Sequence, residues 1–364
     1  MKWSWRIARL WDIDVYVHAT FLLIIAWVAY SYWIQFQTLN AVLGGILFIV
    51  ALFACVVLHE YGHALMARRF GVKTRDITLC PIGGVARLER IPEKPIEELW
   101  VAIAGPAVNI MVAILLALYL LATGAGIPSS IFSTTTGGFL PRLLAVNLLL
   151  VAFNLIPAFP MDGGRVLRAI LAMRMDHLRA TQIAATIGQG LAFLFGLFGL
   201  FGNPALLFIA FFVWIGAEQE ASMARIKHSL GGIPVSRAMQ TDFQSLSPHD
   251  TLARAVKLIL SGSQQDFPVV EDGRVLGILE REVLIKALSA GGQDQSVAVS
   301  LQRDVPQVDS HEMVEQALAR LQESGARMLP VVHGGKLTGL ITTENITEFL
   351  LIRSALQTKP RAAA

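Results

Sequence analysis

Two histidines and a glutamate, His59, Glu60 and His63, form H-E-x-x-H within LHEYGHALMARRF at positions 58–70. On a helix, positions i and i+4 share a face, so both imidazoles reach one metal ion. Glu60 then sits close enough to take a proton from a metal-bound water. Zinc lowers the pKa of such a water to about 7, which makes hydroxide available at neutral pH. A catalytic zinc keeps three protein ligands and one open position, so the chain has to offer a third ligand. The motif closes a long uncharged run, AVLGGILFIVALFACVVL. Ionisable side chains within a membrane span cost on the order of a few kcal/mol unless they are paired or metal-bound, which favours a functional site. The competing reading pairs Glu60 with Arg68 or Arg69 at the membrane surface and leaves the histidines as helix caps.

Several residues compete for the third position. Glu218 and Glu220 lie where the sixth expected span leaves the membrane, and Asp176 and His177 lie in a basic loop. Asp162 is better placed, in NLIPAFPMDGGR at 154–165, directly after the fourth expected span. Pro157 and Pro160 break that helix, and Gly163 and Gly164 allow a sharp turn. A helix opened at membrane depth loses hydrogen bonds that something must restore, so a carboxylate there marks a site. The bland alternative pairs Asp162 with Arg165 at a helix end.

These residues need a membrane scaffold, and composition supplies one. Of 364 residues, 54% are hydrophobic and 16% charged, which places the chain among polytopic membrane proteins. The net charge of +3 is too small to suggest a polyanion, so no nucleic-acid partner is expected. Cys55 and Cys80 form no spaced metal or redox motif. The N-terminal MKWSWRIARLWDIDVYVH has no cleavage site and is expected to be a retained interfacial segment. Six spans are expected, at about 17–35, 41–66, 97–122, 139–158, 181–201 and 203–218.

Basic residues cluster on one side of these spans: Arg6, Arg9, Arg68, Arg69, Arg87, Arg165, Arg168, Arg174 and the whole C-terminal region. The opposite loops offer only Arg142, so both termini are expected in the cytoplasm of a cell whose cytoplasmic membrane holds the chain. Between the second and third spans, KTRDITLCPIGGVARLERIP reads as a β-hairpin, the alternative being a plain cytoplasmic loop. An unpaired edge of such a hairpin could receive an extended peptide by strand addition.

The chain changes character near residue 218 and then repeats itself. VSRAMQ…DFPVVEDGRVLGILEREVL and VSLQRD…RMLPVVHGGKLTGLITTENIT share one order of strands and helices, which points to paired α/β modules. The expected fold is thus a polytopic α-helical membrane domain with a small β-hairpin, followed by a tandem α/β module. The expected domains are 1–222, 233–290 and 296–354, with a disordered tail at 355–364.

HEYGH, AGPAVN at 104–109 and NLIPAFPMDGGR, in that order, resemble the site-2 proteases, intramembrane zinc metalloproteases. His18 in IDVYVHATF and the PIGGVA hairpin match the family too. The resemblance spans the whole membrane region. It implies His59, His63 and Asp162 as zinc ligands, Glu60 as general base, and Asn154 as a residue that orients substrate or stabilises the oxyanion. Asn109 has two readings, a hydrogen-bonding role or helix packing beside Gly105. The implied substrate is a membrane-spanning protein, cut by regulated intramembrane proteolysis.

The repeats resemble CBS domains, which bind adenine nucleotides such as ATP or AMP between paired modules, and which can mediate homodimers. The resemblance implies Gly339, Thr342 and Asn345 as nucleotide contacts; asparagine replaces the family's ribose-binding aspartate. Glu280 and Val283 make the first repeat incompetent at the equivalent positions. Two other readings are a metal or ion transporter with a CBS regulator, and an inactive scaffold. The scarcity of ionisable residues in spans one, three, five and six argues against the transporter, and the intact His59, Glu60, His63 and Asp162 against the scaffold.

Overall fold

The computed structural model describes residues 3–81, 83–89, 94–124, 138–290 and 292–357. It divides into two compact units, Met1–Ala224 and Arg225–Ala364.

The first unit begins with a hairpin of β1 (Ser4–Leu10) and β2 (Ile13–His18). The expected interfacial segment is thus a β-hairpin. The alternation in IDVYVH carries the signal: Ile13 and Val15 point inward and are buried, while their neighbours are not. The chain continues through α1 (Phe21–Phe36), α2 (Leu39–Arg69), β3 (Thr74–Cys80) and β4 (Gly83–Leu88). β2 pairs with β3 in parallel and the order is β1-β2-β3-β4, so the expected hairpin at 74–88 is half of a larger sheet with β4 at its edge. Ile13, Val15 and Ile77 pack on Tyr61 and Ala64 of α2, which lays the sheet over the turn that carries His59 and Glu60.

Next come α3 (Pro95–Ala122), α4 (Phe139–Asn154), α5 (Asp162–Ala172), α6 (His177–Phe201) and α7 (Ala205–Leu230). Among the described residues, four helices, α2, α3, α6 and α7, are long and apolar enough to cross a membrane. The other two expected spans are the apolar helices α1 and α4, each of 16 residues. At about 1.5 Å per residue each reaches about 24 Å, short of a hydrocarbon core of about 30 Å.

The second unit contains α8 (Leu252–Ser261), β5 (Phe267–Glu271), β6 (Arg274–Leu279), α9 (Arg281–Ser289), β7 (Val308–Asp309), α10 (Val314–Ser324), β8 (Met328–His333), β9 (Lys336–Thr342) and α11 (Thr343–Gln357). The repeats do not fold as separate beads. Leu230, Ile233, Val235 and Ala238, which lead into and begin the first repeat, join the core of the second, and Gln240 bridges to Leu340. In return Val297 buries against Leu246, Leu279 and Leu284 of the first repeat, and Gln302 bridges to Ile278. Each core is thus completed by the segment that leads into the other, across the boundaries expected at 233–290 and 296–354. α11 runs to Gln357, three residues into the expected tail; the rest of that tail lies outside the described residues, as does most of the loop between the third and fourth expected spans.

Candidate metal centre

α2 presents His59 and His63 on one face, and α5 begins at Asp162 against it. Asp162 Oδ2 lies 3.1 Å from His59 Nε2 and 3.1 Å from His63 Nε2, and the two Nε2 atoms are 3.1 Å apart. All three residues are buried, at 6%, 5% and 8% exposure.

The outer hydrogen bonds fix the tautomers. His63 Nδ1 is 2.7 Å from the backbone oxygen of Val101. A carbonyl oxygen only accepts, so Nδ1 carries the proton, and in the neutral ring Nε2 keeps a lone pair. His59 is set through a longer chain. Asn147 Nδ2 donates to the Leu143 carbonyl, which leaves its Oδ1 to accept from Asn109 Nδ2. Asn109 Oδ1 then faces His59 Nδ1 at 2.8 Å and accepts its proton. Asn109 therefore orients His59 as well as packing in the bundle. Three lone pairs, from two Nε2 atoms and one carboxylate oxygen, meet at one buried point. Such a meeting is repulsive unless a cation sits among them. Donors about 2.0–2.1 Å from a common zinc lie roughly 3.3 Å apart in tetrahedral geometry, so this donor set fits the ion.

The neighbouring backbone is shaped to permit the approach. A Cβ on Gly105 of α3 would stand 2.2 Å from His63 Nε2 and 2.7 Å from His59 Nε2. A Cβ on Gly163 would stand 2.2 Å from the Ile156 oxygen, and one on Gly164 would stand 2.6 Å from the Phe159 nitrogen. Gly163 and Gly164 have ordinary negative φ, so their role is close packing of α5 against the 155–159 loop rather than a sharp turn. Asp162 also lies in the first turn of α5, where the helix dipole favours its negative charge.

Glu60 is half-buried, within electrostatic range of both histidines and of Asp162. Its Oε2 accepts the backbone N–H of Ala86 at the edge of β4, 3.2 Å away. It makes no ion pair with Arg68, whose guanidinium donates to the Trp11 carbonyl. Of the carboxylates weighed for the third position, only Asp162 among the described residues reaches the histidines. Glu220 accepts from Arg168 at 2.9 Å, Glu218 from Gln189 at 3.1 Å, and Asp176 caps α6. Asn154 ends α4, half-buried, and its side chain makes no hydrogen bond among the described residues. His18 Nδ1 meets Thr20 Oγ1 at 2.8 Å, a local bond near the sheet.

Arg168 is not a surface charge. It is 2% exposed and joins Glu98 of α3, at 2.7 Å, to Glu220 of α7. This buried triad anchors the helix that begins with Asp162.

In the second unit, Thr342 Oγ1 accepts from the Asn345 backbone N–H at 3.1 Å and donates to Asn345 Oδ1 at 2.9 Å, forming a cap on α11. A Cβ on Gly339 would stand 2.6 Å from Met239 Sδ. A cavity of about 130 Å³ is lined by Glu280, Asp304 and Arg327, among others; Thr342 and Asn345 are not among its lining residues.

The chain is 34% identical over 362 residues to a zinc metalloprotease of Methanocaldococcus jannaschii, covering 97% of each protein. A model of peptidase family M50 matches residues 47–139 and 129–197. The chain belongs to peptidase family M50. It is a zinc-dependent metalloprotease of the site-2 protease type and an integral membrane protein. The CBS domain model matches 235–290 and 297–352, so this M50 chain also carries a CBS pair. Among solved structures, a site-2 protease of Methanocaldococcus jannaschii is 40% identical, with a TM-score of 0.45, over 60% of this chain and 95% of that one.

Proposed function

We propose that the chain hydrolyses peptide bonds within or beside the membrane-spanning segments of protein substrates, as in regulated intramembrane proteolysis. His59, His63 and Asp162 hold the zinc, and the observation that carries this is the meeting of their three lone pairs inside the bundle. When bound, zinc supplies a Lewis acid and lowers the pKa of water. Glu60 takes the proton of the attacking water and returns it to the leaving amine. The Ala86 N–H orients the Glu60 carboxylate for that exchange. Asn154 hydrogen-bonds the substrate carbonyl. The β4 edge receives the substrate as an added strand, which holds it extended and exposes a peptide bond that a helix would shield.

Both termini face the cytoplasm, and water enters from that side. The CBS pair modulates the protease through dimerisation or through an adenine nucleotide at Gly339, Thr342 and Asn345, whose present cap would have to open.

The test compares the native chain with Glu60→Gln in matched membranes, searching for single-span proteins cut within their spans. Loss of the general base is expected to reduce cleavage by about 10²–10⁴-fold with zinc retained. Equal fragment yields from the two chains would overturn the proposal.

A further inference from the structure

A second group of two histidines and an aspartate lies in the second unit, where the CBS match accounts for none of it. Asp309, His311 and His333 each offer one ligand atom, and these atoms lie within 4.8 Å of one another. We propose that they bind a divalent transition-metal ion of the zinc class on the surface of the second repeat.

The backbone brings them together from two segments. β7 ends at Asp309, which pairs in parallel with Val332 of β8. The Ser310 N–H donates to the Val332 oxygen at 3.0 Å, so His333, the next residue of β8, stands beside Ser310 and His311. Gly334 and Gly335, at φ +57° and +78°, then reverse the chain into β9. The Asp309 carboxylate is held in place because Oδ1 accepts the His311 backbone N–H at 2.9 Å. His311 Nδ1 lies 3.1 Å from that same oxygen. Ser310 Oγ lies 3.3 Å from His311 Nδ1 and 3.2 Å from His333 Nδ1. Both rings thus turn the same nitrogen toward one point, and they are tilted at 48° rather than stacked.

Two imidazoles and one carboxylate suit zinc and its neighbours rather than magnesium or calcium, which take oxygen ligands. The rim is open, with both histidines exposed, so water completes the coordination and the ion exchanges with the surroundings. The site is separate from Thr342. That residue pairs with Met328 at one end of the β8–β9 hairpin, whereas His333 pairs with Lys336 at the other. Five residue steps along β8 separate the two ends, about 16 Å.

The test is metal analysis of the purified full chain in detergent, equilibrated with a small excess of Zn²⁺ and freed of unbound ion. The native chain is expected to hold one zinc more than His311→Ala/His333→Ala. The difference decides the matter, not the total, so the result is independent of the membrane centre. Loss of an outer partner costs about 10–100-fold in metal affinity, so loss of a ligand by Asp309→Asn is expected to raise the zinc needed for half-occupancy at least ten-fold. All three positions lie at the surface, and an unchanged melting temperature checks that the variants are folded. Equal zinc content in the native chain and the double variant overturns the proposal, leaving the cluster as hydrogen bonds among surface side chains.

Discussion

The same set of side chains, two histidines and an aspartate, meets twice among the described residues, once in the membrane bundle and once on the second repeat. In the bundle, every partner of the histidines is protein: Val101 for His63, and Asn109 backed by Asn147 for His59. Water cannot replace these bonds, so their geometry decides whether the centre exists. On the repeat, the histidines are exposed, and they lean on the buried Ser310 hydroxyl and on Asp309. Water can serve the exposed rings in place of a lost bond. The difference teaches that a donor set alone does not set the properties of a site. Burial turns supporting residues from optional into necessary.

The comparison breaks most sharply at Gly105. A methyl group there would stand 2.2 Å from His63 Nε2, so Gly105→Ala must displace the ring or move α3. Misplacing a catalytic group by about 1 Å costs about 100-fold, so proteolysis is expected to fall by at least that factor. Zinc analysis of the same variant is expected to show loss of the membrane ion and retention of the surface one. Full activity in Gly105→Ala would mean that the approach of α3 to the histidines is looser than described. Chelation tests the second contrast. A brief exposure to a zinc chelator is expected to release one ion quickly and one slowly, the fast phase disappearing in His311→Ala/His333→Ala. A single phase shared by both ions would remove the distinction.

Residue types and spacing made much of the centre legible. H-E-x-x-H placed two imidazoles on one helical face, and PMDGGR placed a carboxylate after a broken helix. Geometry that depends on what arrives from elsewhere was not legible. Nothing local says that Gly105 must lack a side chain because α2 presents two rings to it, or that Asn109 links His59 to Asn147 of α4. Arg168 reads as a loop charge that orients the chain, and Glu98 as the polar start of a span. Only the packing of α3, α5 and α7 turns them into a buried triad with Glu220. Removing Glu98 leaves the buried Arg168 with Glu220 alone as its charge partner, so Glu98→Ala is expected to destabilise the membrane unit by less than the roughly 3–5 kcal/mol of a fully unpaired buried charge. Thermal unfolding in detergent reads that change, and an unaltered midpoint would mean that water already reaches Arg168. The strand pattern of IDVYVH was readable as a period of two, but it was masked by the basic, aromatic stretch before it. In the second unit the repeats were plain, whereas the exchange of segments between their cores was not, because it joins residues 233–238 to strands roughly a hundred positions later.

The finest contrast lies between two supporting residues of like function. Asn109 accepts from His59 inside the bundle at 2.8 Å, and Ser310, itself buried, sits beneath the exposed rings of His311 and His333. Asn109→Ala removes a buried acceptor with no replacement, so zinc affinity at the membrane centre is expected to fall by about 10–100-fold. Asn109→Asp, which keeps the acceptor, is expected to recover part of that loss. Ser310→Ala removes a bond to two rings that are themselves open to solvent, where water can serve their nitrogens. Its cost is expected at about 0.5 kcal/mol or less, roughly two-fold in affinity for the surface ion. Competition titrations with a zinc chelator of known strength measure both. A large effect of Ser310→Ala would show that its hydroxyl is a ligand and not a spacer. An Asn109→Ala variant with native affinity would show that His59 holds its tautomer without help, and burial would then not be what separates the two centres.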